Sequence, residues 1–250
     1  VAKPVARALR EIFRKRERGQ PLQYAAKQAN FFGREFYVDE NVLIPRPETE
    51  TLVEIALVEG DRLTKQLGRA IRVVDVGTGS GVIGITIALE RPGWKVGGSD
   101  ISAAALKVAK KNARGLGARL DWRKGHLLKA WKGLDGIDLI VSNPPYLWKN
   151  HEFVAREALR WEPAEALFPK PNRRSNLSNV GTHFAEEMLE DCLAASGFGG
   201  AIVMELSARV AYDLERAYRR SAGLAKIERR ADLNGRKRFL VCEKSGSKGA

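Results

Sequence analysis

The chain has 250 residues, 44% of them hydrophobic, which suffices for one sizeable core and a smaller appendage. No apolar run approaches the roughly 20 residues of a membrane helix, and two distant cysteines with three scattered histidines argue against a disulfide framework and a metal site. Few cysteines favour a reducing, cytoplasmic location, and the formal net charge of +13 favours an anionic partner such as RNA or a ribosomal particle, with a solvated basic surface as the equal alternative.

The first 47 residues predict a helix and a β-hairpin ahead of the main domain. Residues 1–20 place apolar side chains on one helical face and arginines elsewhere. The apolar residues are Val5, Leu9, Ile12 and Phe13. We interpret this helix as the remnant of a helical domain or as a lid; its arginines also fit a mitochondrial matrix-targeting segment, although its glutamates argue against one. Residues 21–47 contain "ANFFGREFYVDENVLI", whose aromatic and β-branched residues around Gly33 indicate a hairpin and linker.

Residues 48–250 are predicted to form one α/β domain, because strand and helix signals alternate from residue 71 onward. The predicted strands are "IRVVDV", "WKVGGSD", "ARLDW", "IDLIVS", "AIVMEL", "LAKIERR" and "KRFLVCE". Helices between them include "SAAALKVAKKNARGLG", capped by Ser102, and "FAEEMLEDCLAAS". The last two strands are joined by "ADLNGR", which is too short for a crossover helix. The fold class is therefore a doubly wound, mostly parallel seven-stranded sheet with a C-terminal antiparallel hairpin.

A glycine-rich turn follows the first predicted strand of this domain. In "VVDVGTGSG", Asp75 ends the strand, and Gly77, Gly79 and Gly81 lead into a helix. Glycines let the backbone approach a ligand closely, with the helix N-terminus facing it. Asp100 ends the next strand, where an acidic residue binds ribose hydroxyls in dinucleotide folds, or else it caps the following helix. The two features together predict a nucleotide-like cofactor.

A second constellation, "VSNPPYLW", follows an apolar strand. Pro144 and Pro145 offer no N–H and stiffen the chain at the carboxyl end of that strand, the edge where open α/β sheets bind ligands. The same segment presents the Asn143 amide, bare backbone carbonyls and the Tyr146 ring. Such a loop suits a planar group, and the alternative is a proline-stiffened turn that Asn143 caps.

These motifs, taken together, resemble those of a known class of enzymes. "DVGTGSG", "SDIS" and "SNPPY", in this order, resemble the class I S-adenosylmethionine-dependent methyltransferases, whose fold is Rossmann-like. "FFGREFYVDENVLIPRPETETLVE", "WEPAEAL" and "DLNGRKRFLV" narrow the resemblance to the HemK-type glutamine methyltransferases of peptide-chain release factors. It covers roughly residues 21–168 and 197–243. "SNPPY" alone is shared with DNA and RNA amino-methyltransferases, whereas its combination with "LIPRPETE" is specific.

The resemblance implies S-adenosylmethionine as the cofactor and gives each motif residue a role. The glycine-rich turn would cradle the methionine part, and Asp100 would bind the ribose. The implied cofactor-binding residues are Asp75, Gly77, Thr78, Gly79, Ser80, Gly81, Asp100, Ile101, His126, Leu127 and Asn143. The implied catalytic residues are Asn143, Pro144 and Tyr146, and substrate binding adds Pro145, Pro47 and Glu48.

The chemistry implied for the NPPY loop starts from a weak nucleophile, because the lone pair of a carboxamide nitrogen is delocalised into its carbonyl. The Asn143 side-chain oxygen and the Pro144 carbonyl are candidates to accept both N–H hydrogens, which aims the lone pair at the methyl group. The same oxygens stabilise positive charge on the nitrogen. Tyr146 would pack against the amide or the cofactor, and no general base is required.

Three features depart from the family pattern. His126 stands where the family has an aspartate beside the adenine, and it holds no fixed negative charge. Residues 169–181, "PKPNRRSNLSNVG", replace a glycine-rich acidic turn and are predicted to form a basic loop. About one amino-terminal helix precedes the hairpin, where bacterial release-factor enzymes carry several.

The leading hypothesis is methylation of the glutamine in the Gly-Gly-Gln motif of a release factor. Two alternatives are close: a glutamine methyltransferase of a large-subunit ribosomal protein, and an RNA or DNA exocyclic-amine methyltransferase. A non-enzymatic alternative is a basic module with weak or no activity that docks on ribosomal particles. The expected partners are therefore a release factor and, through the basic surface, the ribosome or an RNA, with no membrane and no metal.

Overall fold

The computed structural model describes residues 3–131, 136–147, 160–168, 182–195 and 198–245. The helices in these ranges are α1 Lys3–Glu17, α2 Leu22–Ala26, α3 Glu48–Leu67, α4 Val82–Glu90, α5 Ala103–Leu116, α6 Ala164–Leu167, α7 His183–Ala194 and α8 Ala208–Tyr218, with a 3-10 turn at Leu127–Ala130. The strands are β1 Ala29–Phe31, β2 Arg34–Phe36, β3 Arg72–Val76, β4 Lys95–Asp100, β5 Asp121–Lys124, β6 Leu139–Ser142, β7 Ala201–Glu205, β8 Leu224–Arg230 and β9 Phe239–Lys244. None of these helices combines the length and apolar character that crossing a bilayer requires.

Seven strands form one sheet in the order β5-β4-β3-β6-β7-β9-β8. The five strands from β5 to β7 pair in parallel, whereas β9 lies antiparallel between β7 and β8. The predicted doubly wound sheet with a terminal antiparallel hairpin is therefore confirmed. Strand order reverses at β3, which has β4 on one side and β6 on the other, and ligands bind beyond the carboxyl ends of strands at such a switch point.

Alternate residues of the central strands pack into two apolar layers, one on each face of the sheet. Val73 of β3 and Val141 of β6 belong to the layer covered by α3 and α4. Val74 and Ile140, their neighbours along the chain, belong to the layer covered by α7 and α8. This alternation follows from the two-residue side-chain period of a strand, and it explains why the parallel strands are continuous apolar runs.

The segment before the sheet packs against its helices. β1 and β2 form the predicted antiparallel hairpin, with Phe32 and Gly33 at φ 51° and 71° in a two-residue turn. A third apolar cluster joins this segment to α5 through Tyr24, Val38 and Val108. The hairpin and linker thus lie against the sheet domain.

Two local outcomes refine the predictions. The third strand was predicted to include Ala118, but β5 begins at Asp121, because Gly117 (φ 72°) and Ala118 still close α5 through a bond from the Ala118 N–H to the Ala113 carbonyl. On α1, Val5, Leu9 and Phe13 are 51%, 45% and 66% exposed, whereas Ile12, the fourth residue of the predicted apolar face, is half-buried. The predicted basic loop at 169–181 lies outside the described residues, and the role of residues 1–20 stays a prediction.

The junction into β7 provides a test of this packing. A Cβ added at Gly200 would lie 1.9 Å from the backbone oxygen of Asp138, whereas one at Gly199 would meet nothing within 4 Å. We expect Gly200→Ala to lower the free energy of unfolding by about 2 kcal/mol or more, because the backbone at Asp138 must move to make room for the new methyl group. Gly199→Ala should change it by less than about 0.5 kcal/mol. Urea unfolding measures both, and equal values for the two variants would contradict the packing described here.

Candidate functional site

A cleft of about 1050 Å³ opens at the carboxyl edge of the parallel strands, beside the switch point. This volume includes open solvent, so the cleft is accessible from outside the protein. The predicted site residues that line it are Gly77, Thr78, Gly79, Ser80, Asp100, Ile101, His126, Leu127, Asn143 and Pro145. Those that do not line it are Asp75, Gly81, Pro144, Tyr146, Pro47 and Glu48.

The glycine-rich turn forms one wall of the cleft. Gly77 and Gly79 have φ of 73° and 54°, a region that L side chains adopt at a cost, and a Cβ at either would meet no protein atom within 4 Å. The N–H groups of Gly77 and Thr78 both donate to the Ser99 carbonyl at 2.9 Å, which holds the turn against β4. The turn therefore presents bare backbone to the open space of the cleft.

Asp75 lies beneath this turn and supports it. Its Oδ2 accepts from the Thr78 hydroxyl at 2.5 Å and from the Gly84 N–H at 3.0 Å. Burial raises the pKa of Asp75 to about 6, although these two bonds counteract the effect. Its Oδ1 is buried with no hydrogen-bond partner among the described residues.

Asn112 of α5 links the turn to the linker segment. Its amide nitrogen donates to the carbonyls of Ser80 (2.8 Å) and Tyr37 (2.9 Å), and its oxygen accepts from the Tyr37 N–H (2.7 Å). Gly81 instead packs against α5, since a Cβ there would lie 2.7 Å from Ile85 and 3.1 Å from Ala109. The last glycine of the motif thus permits helix packing and does not line the cleft.

Asp100 stands at the end of β4, next to the glycine-rich turn. Its Oδ2 accepts from the Gly79 N–H at 2.9 Å, and its Oδ1 accepts from the Ser102 N–H at 2.8 Å. Burial nevertheless raises the pKa of this carboxyl. The helix cap itself is Ser102, whose hydroxyl accepts from the Ala105 N–H. Asp100 thus accepts from the backbone of two cleft-lining residues, Gly79 and Ser102, and keeps lone pairs for a ligand hydroxyl.

His126 and Leu127 form the floor beyond β5. Leu127 is buried with φ 47°, a strained conformation for a leucine, which turns the chain into the cleft. The His126 ring lies edge-on to Phe184, with centroids 5.6 Å apart, and its Nδ1 lies 3.7 Å from Glu187 Oε1. The carboxylate of Glu187 thus lies next to His126. In the family pattern, the carboxylate is instead that of an aspartate at position 126 itself.

The Asn143 side chain is held by two residues of other elements. Its Nδ2 donates to Thr49 Oγ1 at 3.2 Å and to Glu205 Oε2 at 3.1 Å, which uses both N–H hydrogens. No described residue donates to the Asn143 oxygen. Because Asn143 and Thr49 both line the cleft, the amide is anchored at its nitrogen end and its oxygen remains as an acceptor.

Glu205 ends β7 with 1% of its surface exposed. Burial raises its pKa to about 7, while a hydrogen bond from Thr49 and the charge of Arg238 work in the opposite direction. Arg238 Nη1 lies 3.8 Å from Glu205 Oε1, and Arg238 Nε lies 3.5 Å from Asp232. The "DLNGRKRF" segment thus reaches the site through Arg238.

Two further motif segments meet at the cleft mouth. Arg46 of "PRPETE" donates from Nη2 to Glu162 of "WEPAEAL" at 2.5 Å, and Arg46 lines the cleft while Glu162 is buried. Pro47 is exposed and Glu48 half-buried, so the cleft-lining residues of this segment are their neighbours. Pro144 is buried, and Tyr146 packs against the apolar layer under α7 and α8.

Sequence reasoning missed several of these residues. They are Thr49, Glu205, Arg238, Arg46, Glu162, Phe184 and Asn112. Glu205 carried a usable signal, because an acidic residue at the carboxyl end of an apolar strand is the same pattern that singled out Asp75 and Asp100. Among the described residues, no group of three or more His, Cys, Asp or Glu side chains is arranged to hold a metal ion.

Comparison with known proteins agrees with this geometry. The family model for the methyltransferase small domain matches residues 58–168. Solved structures share the fold: human methyltransferase 10 domain containing protein (TM-score 0.60, 16% identity, 97% of this chain and 96% of that one) and the N-terminal domain of human METTL16 in complex with SAH (TM-score 0.58, 18% identity, 97% and 82%). At these identities the likeness establishes a class I methyltransferase fold alone.

Relatives in sequence are closer. The release factor glutamine methyltransferase of Bordetella pertussis is 39% identical over 93% of this chain and 81% of its own length. The enzyme of that name from Bacillus subtilis is 36% identical over 89% of this chain and 75% of its own length. Identity of this extent, together with a glycine-lined cleft that meets an anchored NPPY asparagine, shows that the chain belongs to the release factor glutamine methyltransferase family.

Proposed function

We propose that the protein transfers a methyl group from S-adenosylmethionine to the side-chain amide nitrogen of a glutamine in a peptide-chain release factor, in its Gly-Gly-Gln motif. The single observation that carries this proposal is the Asn143 amide, tied at its nitrogen to Thr49 and Glu205 and left with its oxygen as an acceptor in the cleft. Family membership and the names of the relatives supply the substrate class.

The cleft residues fit the proposed cofactor. Asp100 is placed to accept from ribose hydroxyls, and the bare backbone of the glycine-rich turn leaves space for the methionine part. Asp100 lines the cleft, and burial raises the pKa of its carboxyl, so a positive charge on the ligand would stabilise its ionised form. Leu127 and Ile101 offer apolar surface for a purine. S-adenosylmethionine, when bound, supplies an electrophilic methyl group on a sulfonium sulfur.

The NPPY loop would orient and polarise the acceptor amide. The Asn143 oxygen, in the cleft, would accept one N–H hydrogen of the glutamine, and the carbonyl of Pro144, which does not itself line the cleft, is the candidate to accept the other. Two such bonds would fix the plane of the amide. Orientation of this kind contributes several kcal/mol, up to about 7–11 in the best intramolecular cases. The prolines hold these acceptors rigidly, since their φ angles are fixed. Negative oxygen dipoles then stabilise positive charge that develops on the substrate nitrogen, and its surplus proton leaves to solvent without a dedicated base.

A labelling experiment tests the function. The purified protein is incubated with methyl-labelled S-adenosylmethionine and, separately, a release factor, ribosomal particles, RNA and DNA. We expect label on the release factor alone, on its Gly-Gly-Gln glutamine by mass spectrometry. Label only on RNA or DNA, or only on a large-subunit ribosomal protein, would contradict the proposal in favour of the corresponding alternative.

The acceptor role of Asn143 predicts a loss of turnover without a loss of cofactor binding. In Asn143→Ala the substrate amide loses one of its two acceptors, so kcat should fall by about 100- to 1,000-fold, as when one preorganised polar contact is removed from a transition state. Binding of S-adenosylhomocysteine, measured by calorimetry, should stay within about threefold of wild type. Turnover close to wild type would overturn the acceptor role.

A glycine pair tests the cofactor wall. Gly79 and Gly68 both have positive φ, 54° and 63°, and a Cβ at either meets nothing within 4 Å, but only Gly79 lines the cleft. Alanine at either position should cost about 1–2 kcal/mol of folding stability. Gly79→Ala alone should weaken S-adenosylhomocysteine binding by about tenfold or more, because the methyl group occupies cofactor space. Equal affinities for the two variants would place the cofactor elsewhere.

A further inference from the structure

We propose that Glu205 is a positioning residue: by accepting an N–H from Asn143, its carboxylate fixes which end of that amide faces the substrate. The inference rests on the proposed function for its kinetic consequence, but the contact itself is independent of the substrate. Glu205 lies outside the cleft lining and touches neither cofactor nor substrate space, so it acts through Asn143.

The need for such a residue follows from the shape of an amide. The oxygen and NH2 ends of Asn143 are nearly equal in size, so packing alone does not distinguish them. A flipped Asn143 would point N–H groups at the N–H groups of a glutamine, and the acceptor would be lost. A carboxylate accepts hydrogen bonds and donates none, so Glu205 can only bind the nitrogen end of Asn143.

Thr49 cannot make this choice alone. A hydroxyl both donates and accepts, so it would bind either end of the Asn143 amide. In this structure the Thr49 oxygen accepts from the Asn143 nitrogen at 3.2 Å, and Glu205 Oε2 accepts from the same nitrogen at 3.1 Å. Because the carboxylate can only accept, Glu205 is the partner that fixes which end of the Asn143 amide faces the substrate.

The charges around Glu205 make this polarity depend on pH. Arg238 and Arg46 favour the carboxylate, whereas burial and Glu48 oppose it, and the resulting pKa of Glu205 is about 7. Above this pH the carboxylate orients Asn143. Below it, a protonated Glu205 becomes a donor, and the orienting preference is lost. Turnover should therefore fall as the pH drops below about 7 and level off near that of Glu205→Gln.

The first test replaces the carboxylate with an amide of the same shape. In Glu205→Gln, kcat should fall by roughly 10- to 100-fold, because the acceptor is misplaced in part of the molecules, while S-adenosylhomocysteine affinity and the KM for the release factor change little. The fall in kcat below pH 7 should disappear. Glu59→Gln is the matched control: Glu59 is also buried and paired with arginine, but it lies outside the cleft lining, and its kcat should match wild type.

Stability separates positioning from a merely structural role. A raised folded-state pKa means that Glu205 favours folding when protonated, and that this contribution is lost as the pH rises through about 7. Glu205→Gln mimics the protonated form, so at pH 8 its Tm should be no lower than that of wild type while its kcat is reduced. A Tm that falls in step with activity would overturn the positioning role.

The second test exchanges donor and acceptor. Asn143→Asp alone places two carboxylates side by side, and they would share a proton. In the double variant Asn143→Asp/Glu205→Gln, the glutamine nitrogen donates to the new carboxylate, whose other oxygen still faces the substrate. Its kcat should exceed that of Asn143→Asp by about tenfold, a coupling expected between residues in contact. If the loss of kcat in the double variant equals the product of the losses in the two single variants, the proposal is contradicted.

A spectroscopic readout keeps this inference separate from the function. The side-chain 15NH2 signal of Asn143 should shift with a midpoint near pH 7 in wild type and stay constant in Glu205→Gln. If wild type labels no release factor but this titration is present, the proposed substrate is wrong and the positioning role holds. If the release factor is labelled but the Asn143 signal does not titrate with Glu205, the positioning role is wrong.

Discussion

The site depends on the register of the parallel strands, which places their last residues side by side at the carboxyl edge of the sheet. Val76 of β3 pairs with Ser99 of β4 and with Ser142 of β6, and Ser142 in turn pairs with Met204 of β7. The residue after each of these positions therefore emerges at the same height of the sheet: Gly77, Asp100, Asn143 and Glu205. The Asn143–Glu205 hydrogen bond is a direct consequence, since the two residues follow a paired Ser142 and Met204. A slip of one residue in β7 would turn Glu205 to the other face.

This arrangement gathers acids where water is excluded, at a cost to stability. The rise in the pKa of Glu205 from 4.5 to about 7 corresponds to about 3 kcal/mol in favour of its neutral form. Asp75, fully buried, is raised to about 6 for the same reason. A domain with a net stability of about 5–15 kcal/mol does not retain such groups for folding alone. Each is instead bonded to a segment that the chemistry uses: Asp75 to the glycine-rich turn, and Glu205 to Asn143.

Much of the fold could be predicted from the sequence because its signals are local. Apolar runs, turn glycines and the short "ADLNGR" connection identified the seven strands and the antiparallel end of the sheet, and Gly33 identified the hairpin. The start of β5 was placed too early, because Gly117 and Ala118 form the C-terminal cap of α5. This cap depends on hydrogen bonds across a turn, which the apolar pattern does not reveal. The motif residues of the cleft were likewise named in advance, since strand ends and glycine turns mark that edge.

The rest of the site could not be predicted because it depends on contacts between distant segments. Thr49 and Asn143 are 94 residues apart, and Arg46 and Glu162 are 116 apart. Neither pair leaves a periodic or compositional signal, and only the packing of α3 against β6 and β7 brings Thr49 to the NPPY loop. The same packing explains why the first turn of α3 contributes Thr49 to the cleft while Pro47 stays exposed.

The neutral Asn143 oxygen in the cleft and the negative charge of Glu205 behind it together suit a glutamine amide as the group that receives the methyl. A glutamine amide is neutral and offers two N–H donors, so a carboxylate at position 143 would gain little in the ground state and would repel Glu205. Two unit charges roughly 8 Å apart interact by about 2 kcal/mol at an effective dielectric constant of about 20, so the negative charge of Glu205 behind Asn143 would stabilise a cationic substrate nitrogen by about that amount. That is a factor of roughly 30 in rate, available only as the nitrogen becomes cationic. Glu205 thus both orients the Asn143 amide and provides a negative charge behind it. Both effects act on the methyl transfer step, so loss of Glu205 should affect turnover more than binding.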